Sequence, residues 1–194
     1  MTRSKTPILI IVDGISTVGK TSIIGNARRG IEAAGFKVHV QTFKAAKDHV
    51  IGKTRSDYMI NQAMDFDAQI EQLGRDGHHV IICDGHPFIS EPIVNTHIKL
   101  DSSSLWHHVK KPDFVMILSS TATVIHQHQD GKANPLSFKD IIRQLDKFGQ
   151  LSSADVGSTN IMRVTVADCN NFLYAAGDLR ATARKLLDRK GAAA

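Results

Sequence analysis

Residues 8–22 read Ile8-Leu9-Ile10-Ile11-Val12-Asp13-Gly14-Ile15-Ser16-Thr17-Val18-Gly19-Lys20-Thr21-Ser22, and this stretch decides the fold. The run Ile8–Val12 is apolar without alternation, as expected of a strand buried on both faces of a sheet. Gly14 to Thr21 fits G-x-x-x-x-G-K-[ST], and Lys20 opens a stretch with helical character. Strand, glycine loop and helix in that order form a phosphate cradle. The glycines let the backbone turn so that successive N–H groups face phosphate oxygens, and the helix N-terminus adds its positive dipole end. Lys20 is expected to place its charge between the β- and γ-phosphates, and Thr21 to offer a hydroxyl to Mg²⁺. Gly14, Ile15, Ser16, Thr17, Val18, Gly19, Lys20, Thr21 and Ser22 therefore form the expected binding segment for ATP.

Outward from this loop, four more short β-branched segments are separated by helix-length stretches: Lys37–Phe43, His79–Cys83, Asp113–Leu118 and Ile161–Val166. That spacing predicts repeated βαβ units and an α/β fold, a five-stranded parallel sheet sandwiched by helices as in P-loop NTPases. Helices are expected over Lys20 to about Ala34, closed by Gly35, and over Asp57–Leu73 before Gly74. Ser137 with Asp140 three residues on predicts a capping-box helix start. The last helix repeats Phe172, Ala175, Ala176, Leu179, Ala183, Leu186 and Leu187 at helical spacing. The polar stretch Gln127–Pro135 predicts a mobile surface segment.

The chain has 194 residues, enough to bury a core without disulfides, and is expected to form one domain over 1–194 with a small lid-like segment around 126–137. Cys83 and Cys169 are far apart and end apolar runs, which suits reduced thiols and a cytoplasmic location. No apolar run reaches bilayer length, and the start leads into a strand instead of a signal peptide, so no membrane partner is expected. The net charge of +5 suits an anionic ligand, and it permits nucleic acid without requiring it because the basic residues are scattered. A homodimer is left open.

Phosphoryl transfer also needs a carboxylate on the acceptor side. Asp84 follows the third strand and precedes Gly85-His86-Pro87, at the sheet edge where doubly wound folds bind ligands. It is the expected catalytic base and a second Mg²⁺ ligand, with a turn-forming Asp-Gly as the plainer alternative. Asp13, Lys44, Arg55 and His86 are further acceptor-site candidates, with Asp13 also suited to bracing the loop. Lys44, Lys47, Lys53 and Arg55 could line an acceptor mouth or a polynucleotide backbone, or form a solvated basic loop. The paired histidines lack structural zinc spacing and read as surface or core residues. Trp106, Phe88 and Tyr58 could stack on a base, although aromatic residues so placed are more often core.

The glycine loop, the long second helix ending Gly74-Arg75-Asp76-Gly77, the third strand with its terminal Asp84 and the run Lys111-Pro112-Asp113-Phe114-Val115-Met116-Ile117-Leu118 resemble the thymidylate kinase and deoxynucleoside kinase group over about Pro7–Leu187. The resemblance implies that Ala167–Asn170 approaches adenine and that Gln127–Pro135 lies in a lid. It also exposes departures. Ser16 stands where thymidylate kinases carry Asp, and Gly85 where they carry Arg. Asn61-Gln62-Ala63-Met64 lacks the expected arginine, and the lid offers His126, His128 and Lys132 instead of arginine. An anionic acceptor normally needs bidentate arginine clamps. The expected activity is thus an ATP- and Mg²⁺-dependent kinase acting on a small hydroxyl acceptor such as a nucleoside or a nucleotide-related compound. The alternatives are a polynucleotide kinase acting on an end or a modified base, and a regulatory NTP-binding ATPase. The absence of an Asn-Lys-x-Asp signature weighs against a GTPase.

Overall fold

The computed structural model describes residues 6–43, 55–94, 101–129 and 135–191, apart from the side chains of Arg55, Ser56, Met59 and Cys169. Five parallel strands, β1 (Ile8–Gly14), β2 (Val38–Thr42), β3 (Val80–Asp84), β4 (Phe114–Ser119) and β5 (Ile161–Thr165), form one sheet in the order β2-β3-β1-β4-β5. The central β1 is buried at every position, which is why its sequence is unbroken apolar residues up to Asp13. Its register sets Val12 beside Asp84 of β3 and Gly14 beside Leu118 of β4. The carboxyl ends of the three central strands therefore meet at the glycine loop.

The helices follow as α1 (Lys20–Glu32), α2 (Arg55–Arg75), α3 (Pro87–Val94), α4 (Ser102–Leu105), α5 (Ala122–Gln127), α6 (Phe138–Gln150), α7 (Ser153–Val156) and α8 (Cys169–Arg189). α1 and α8 pack together and against β1, while α2, α3 and α6 form the other layer, with α3 on β1 and α6 on β4. α1 ends as expected, with Gly35 at φ 88°. α2 runs through Gly74 to Arg75, and the left-handed residue after it is Gly77 at φ 83°. The glycine nearest the end of the apolar pattern is thus not the one that terminates the helix.

Ser137 caps α6 by accepting from the Asp140 amide at 3.1 Å, and its own hydroxyl donates to the Asp140 carboxylate at 2.6 Å. The reciprocal capping box is at α7, where Ser152 accepts from the Asp155 amide at 3.3 Å and Asp155 accepts from the Ser152 amide at 2.7 Å. The stretch expected to be a mobile surface segment begins on firm structure. Gln127 ends α5, and the buried Gln129 accepts from the Leu136 amide at 2.6 Å and donates to the Leu136 carbonyl at 3.3 Å. One side chain thus holds together the two bases of the expected lid. No helix among the described residues is long and apolar enough to cross a membrane.

Candidate active site

The glycine loop is shaped by steric necessity. Gly14 has φ 144°, and a Cβ there would lie 2.2 Å from the Leu118 carbonyl oxygen. Gly19 caps α1 at φ 94°, and Thr17 adopts φ 74°, a left-handed conformation uncommon for a residue with a branched side chain. Lys20 Nζ donates to the carbonyls of Gly14 at 2.7 Å and Ile15 at 3.1 Å. The lysine therefore lies folded across the loop whose phosphates it is expected to bind.

Asp84 and Thr21 are 63 residues apart in sequence, yet the Thr21 hydroxyl donates to the Asp84 carboxylate at 2.6 Å. Both expected metal ligands thus sit together at the start of α1. Two adjacent hard oxygens suit Mg²⁺, which usually takes one or two protein ligands and completes its shell with water and phosphate. Among the described residues there is no cluster of three or more His, Cys, Asp or Glu side chains able to hold a metal by themselves. Gly85 takes φ 76°, so the Asp-Gly turn is also real; the turn is what stops β3 with Asp84 facing Thr21.

Asp13 is buried, and its two oxygens accept from the Gly14 amide at 2.7 Å and the His86 amide at 2.9 Å. It braces the loop against the β3–α3 turn, so both oxygens are engaged and not turned to an acceptor. Burial pushes its carboxyl up to about 6, against the opposing pull of Lys20 and of the two amides, while Asp84 adds to the rise. His86 is likewise buried. Its ring lies 4.9 Å from Trp106, 4.9 Å from Phe88 and 5.2 Å from Phe43, and Nδ1 accepts from the Phe88 amide at 3.3 Å. Burial pushes its imidazole down to about 3. His86 is therefore a neutral member of an aromatic core, and this corrects its expected place among acceptor contacts.

Trp106 and Phe88 belong to the same core, with Trp106 Nε1 donating to the Asp155 carbonyl at 3.0 Å, so they are not an open stacking wall. Cys83 is a free buried thiol, and burial raises its pKa, with Asp13 and Asp84 adding to the rise. Lys44, Lys47 and Lys53 lie outside the described residues; Arg55 opens α2, and its side chain is outside them too.

Two neighbouring cavities flank the loop. One, of about 460 Å³, is lined by Ser16, Thr17, Gly19, Lys20, Thr21, Ser22 and His128. The other, of about 500 Å³, extends from Thr17, Val18, Gly19 and Ser22 to Ser120, Val124, Ile125, Val166, Ala167, Asp168 and Phe172, and His128 lines it as well. Ser120 and Phe172 carried no signal in the sequence that set them apart as site residues, because they reach the cavity only through the topology.

No family model matches the sequence, and no curated protein matches it. Solved structures do match the fold. A gluconokinase from Sinorhizobium meliloti 1021 superposes with a TM-score of 0.53 at 14% identity, covering 95% of this chain and 98% of that one. The YorR protein of Bacillus subtilis, solved in complex with phosphorylated GDP, superposes with a TM-score of 0.53 at 15% identity, covering 93% of this chain and 95% of that one. The fold is an α/β P-loop NTPase fold. Within that fold the five parallel strands and the loop at the end of β1 stand as expected. The comparisons show the fold and do not single out the thymidylate kinase group.

Proposed function

We propose that this protein is an ATP- and Mg²⁺-dependent kinase that transfers the γ-phosphate to the hydroxyl of a small acceptor, a nucleoside or a nucleotide-related compound. The observation that carries this reading is the 2.6 Å hydrogen bond between Thr21 and Asp84 at the mouth of the glycine loop. It supports a built Mg²⁺ site beside a phosphate cradle, which an incidental glycine turn would not supply. Thr21 and Asp84 would hold the Mg²⁺, which would supply neutralisation of the charge that develops during transfer.

The protein's own groups divide the remaining work. The loop amides and Lys20 hold the triphosphate, and Lys20 exchanges its two carbonyl contacts for phosphate oxygens. Thr21 and Asp84 hold the metal. Asp84 also stands at the carboxyl edge of β3, where it can orient an acceptor hydroxyl or take its proton. Asp13 keeps the loop and the β3–α3 turn at a fixed distance, as transfer chemistry that depends on alignment demands. His128, which lines both cavities, approaches the donor from the lid side.

The likeness of the chain's order of motifs to thymidylate and deoxynucleoside kinases supports a nucleoside-type acceptor. The lack of arginine at the expected clamp positions supports a neutral one. Transfer of labelled γ-phosphate from ATP to a panel of nucleosides, nucleoside monophosphates, sugars and 5′-hydroxyl oligonucleotides tests the proposal. Magnesium-dependent transfer to nucleosides is the expected result. Activity confined to monophosphates would overturn the neutral acceptor, and salt-sensitive transfer to oligonucleotides would make the protein a polynucleotide kinase. Tight ATP binding without transfer to any of these would point to a regulatory nucleotide-binding protein.

A further inference from the structure

Ser120 follows β4 and precedes Thr121, the N-cap of α5. It is 8% exposed, and its Oγ is the one buried side-chain nitrogen or oxygen among the described residues without a hydrogen-bond partner. Its surroundings make this unusual. Ser119 Oγ pairs with Thr165 Oγ1 at 3.2 Å, and Thr121 Oγ1 accepts from the Val124 amide at 3.3 Å. The other buried serines are paired as well: Ser102 donates to the Phe88 carbonyl at 2.5 Å, and Ser158 accepts from the Asn160 amide at 3.2 Å. An unpaired buried hydroxyl is a net cost to the folded state, and in native proteins such a group calls for a specific explanation.

Ser120 lies in the wall of the cavity of about 500 Å³ beside the glycine loop. Val18, Val124, Ile125 and Phe172 give that cavity apolar walls, and Thr17 and Gly19 connect it to the phosphate cradle. A flat, largely apolar group with a polar edge, tethered to a triphosphate, fits such a space. We propose that the Ser120 hydroxyl is the hydrogen-bonding contact for the purine base of the phosphate donor. This deepens the kinase reading and rests on it. A move of χ1 from one staggered well to another redirects the Oγ. A serine hydroxyl both donates and accepts, so it can meet the amino group of adenine or the carbonyl oxygen of guanine.

The proposal predicts opposite effects of Ser120→Ala on two measurements. In the ligand-free protein the melting temperature stays the same or rises, because an orphaned hydroxyl is removed. The Kd of whichever of ATP and GTP binds more tightly rises about five- to tenfold. The Kd of inorganic tripolyphosphate, which fills the cradle and has no base, stays within about twofold. Ser120→Cys, of similar size and with a weaker donor, falls between the unsubstituted protein and Ser120→Ala for the nucleotide. Unchanged nucleotide affinity in Ser120→Ala, or equal losses for nucleotide and tripolyphosphate, overturns the proposal and leaves the kinase reading standing. A lowered melting temperature with unchanged nucleotide affinity also overturns it, and identifies a hydroxyl satisfied by internal water. Failure of the unsubstituted protein to bind nucleotide or tripolyphosphate overturns both.

Discussion

Replacing His86 with phenylalanine should change the dependence of stability on pH between about pH 7.5 and about pH 5 by about 2 kcal/mol. Burial holds the His86 imidazole at about 3 against an ordinary 6.5. As the pH falls through 6.5 the unfolded chain takes up this proton and the folded chain does not. The contribution of His86 is therefore fully present above 6.5 and is lost as the pH falls toward 3. At about 1.4 kcal/mol per unit, lowering the pH from about 7.5 to about 5 costs about 2 kcal/mol through this group. Asp13 acts in the opposite sense. Its carboxyl is raised from 3.8 to about 6, so the folded state takes up the proton first on acidification, and about 1 kcal/mol is gained over the same interval.

In the unsubstituted protein the two contributions partly cancel, leaving a shallow loss toward acid. In His86→Phe the His86 contribution is gone while that of Asp13 stays, so stability should fall less toward acid than in the unsubstituted protein, by about 2 kcal/mol over the interval. The phenyl ring retains the contacts with Phe43, Phe88 and Trp106, and loss of the 3.3 Å bond from the Phe88 amide lowers stability equally at both pH values. The pH slope is therefore the quantity to read. Urea unfolding in magnesium-free buffer, at a typical slope of about 2 kcal/mol per molar, should show the two proteins diverging by about 1 M in midpoint shift. Parallel pH dependences would refute the assignment of His86 as a buried neutral base.

Thr21→Val removes the hydroxyl that reaches Asp84 at 2.6 Å; phosphoryl transfer should fall on the order of a hundredfold with the melting temperature nearly unchanged, and chelation of Mg²⁺ should abolish transfer in the unsubstituted protein. Steady-state kinetics beside a thermal melt checks both. Gly14→Ala sets a Cβ 2.2 Å from the Leu118 carbonyl oxygen at φ 144°, and chemical denaturation should show a loss of about 3 kcal/mol or more. At Gly157, φ 67°, an added Cβ would fall 2.5 Å from the Trp106 ring. Since Trp106 is the sole tryptophan, Gly157→Ala should shift the intrinsic emission to the red as the indole is displaced from its buried site.

The sheet and the shape of the glycine loop were legible because their determinants are local. Ile8–Val12 must be buried on both faces, and Gly14 and Gly19 must take backbone angles that few other residues tolerate. The short helices α3, α4, α5 and α7 were not legible. They are held by single caps such as Asp101 and Ser152 and by packing against a core contributed from elsewhere in the chain. His86 shows the same limit. Next to Asp84 in sequence it reads as a reactive group, and only the arrival of Phe43 and Trp106 from distant segments makes it part of the interior. The Asp13 bridge to the His86 amide joins positions 73 residues apart, and no local pattern encodes it.

The bonds from Lys20 to the Gly14 and Ile15 carbonyls bear on the thermodynamics of filling the site. With its own ammonium as a strut, the loop keeps its curvature before any anion arrives, so association needs little ordering of the chain. The ammonium must release two carbonyls as it takes up phosphate oxygens, and those exchanged contacts offset part of the heat of binding. Calorimetry should therefore record a modest enthalpy and a small loss of conformational entropy, the signature of a receptor already set in its bound shape.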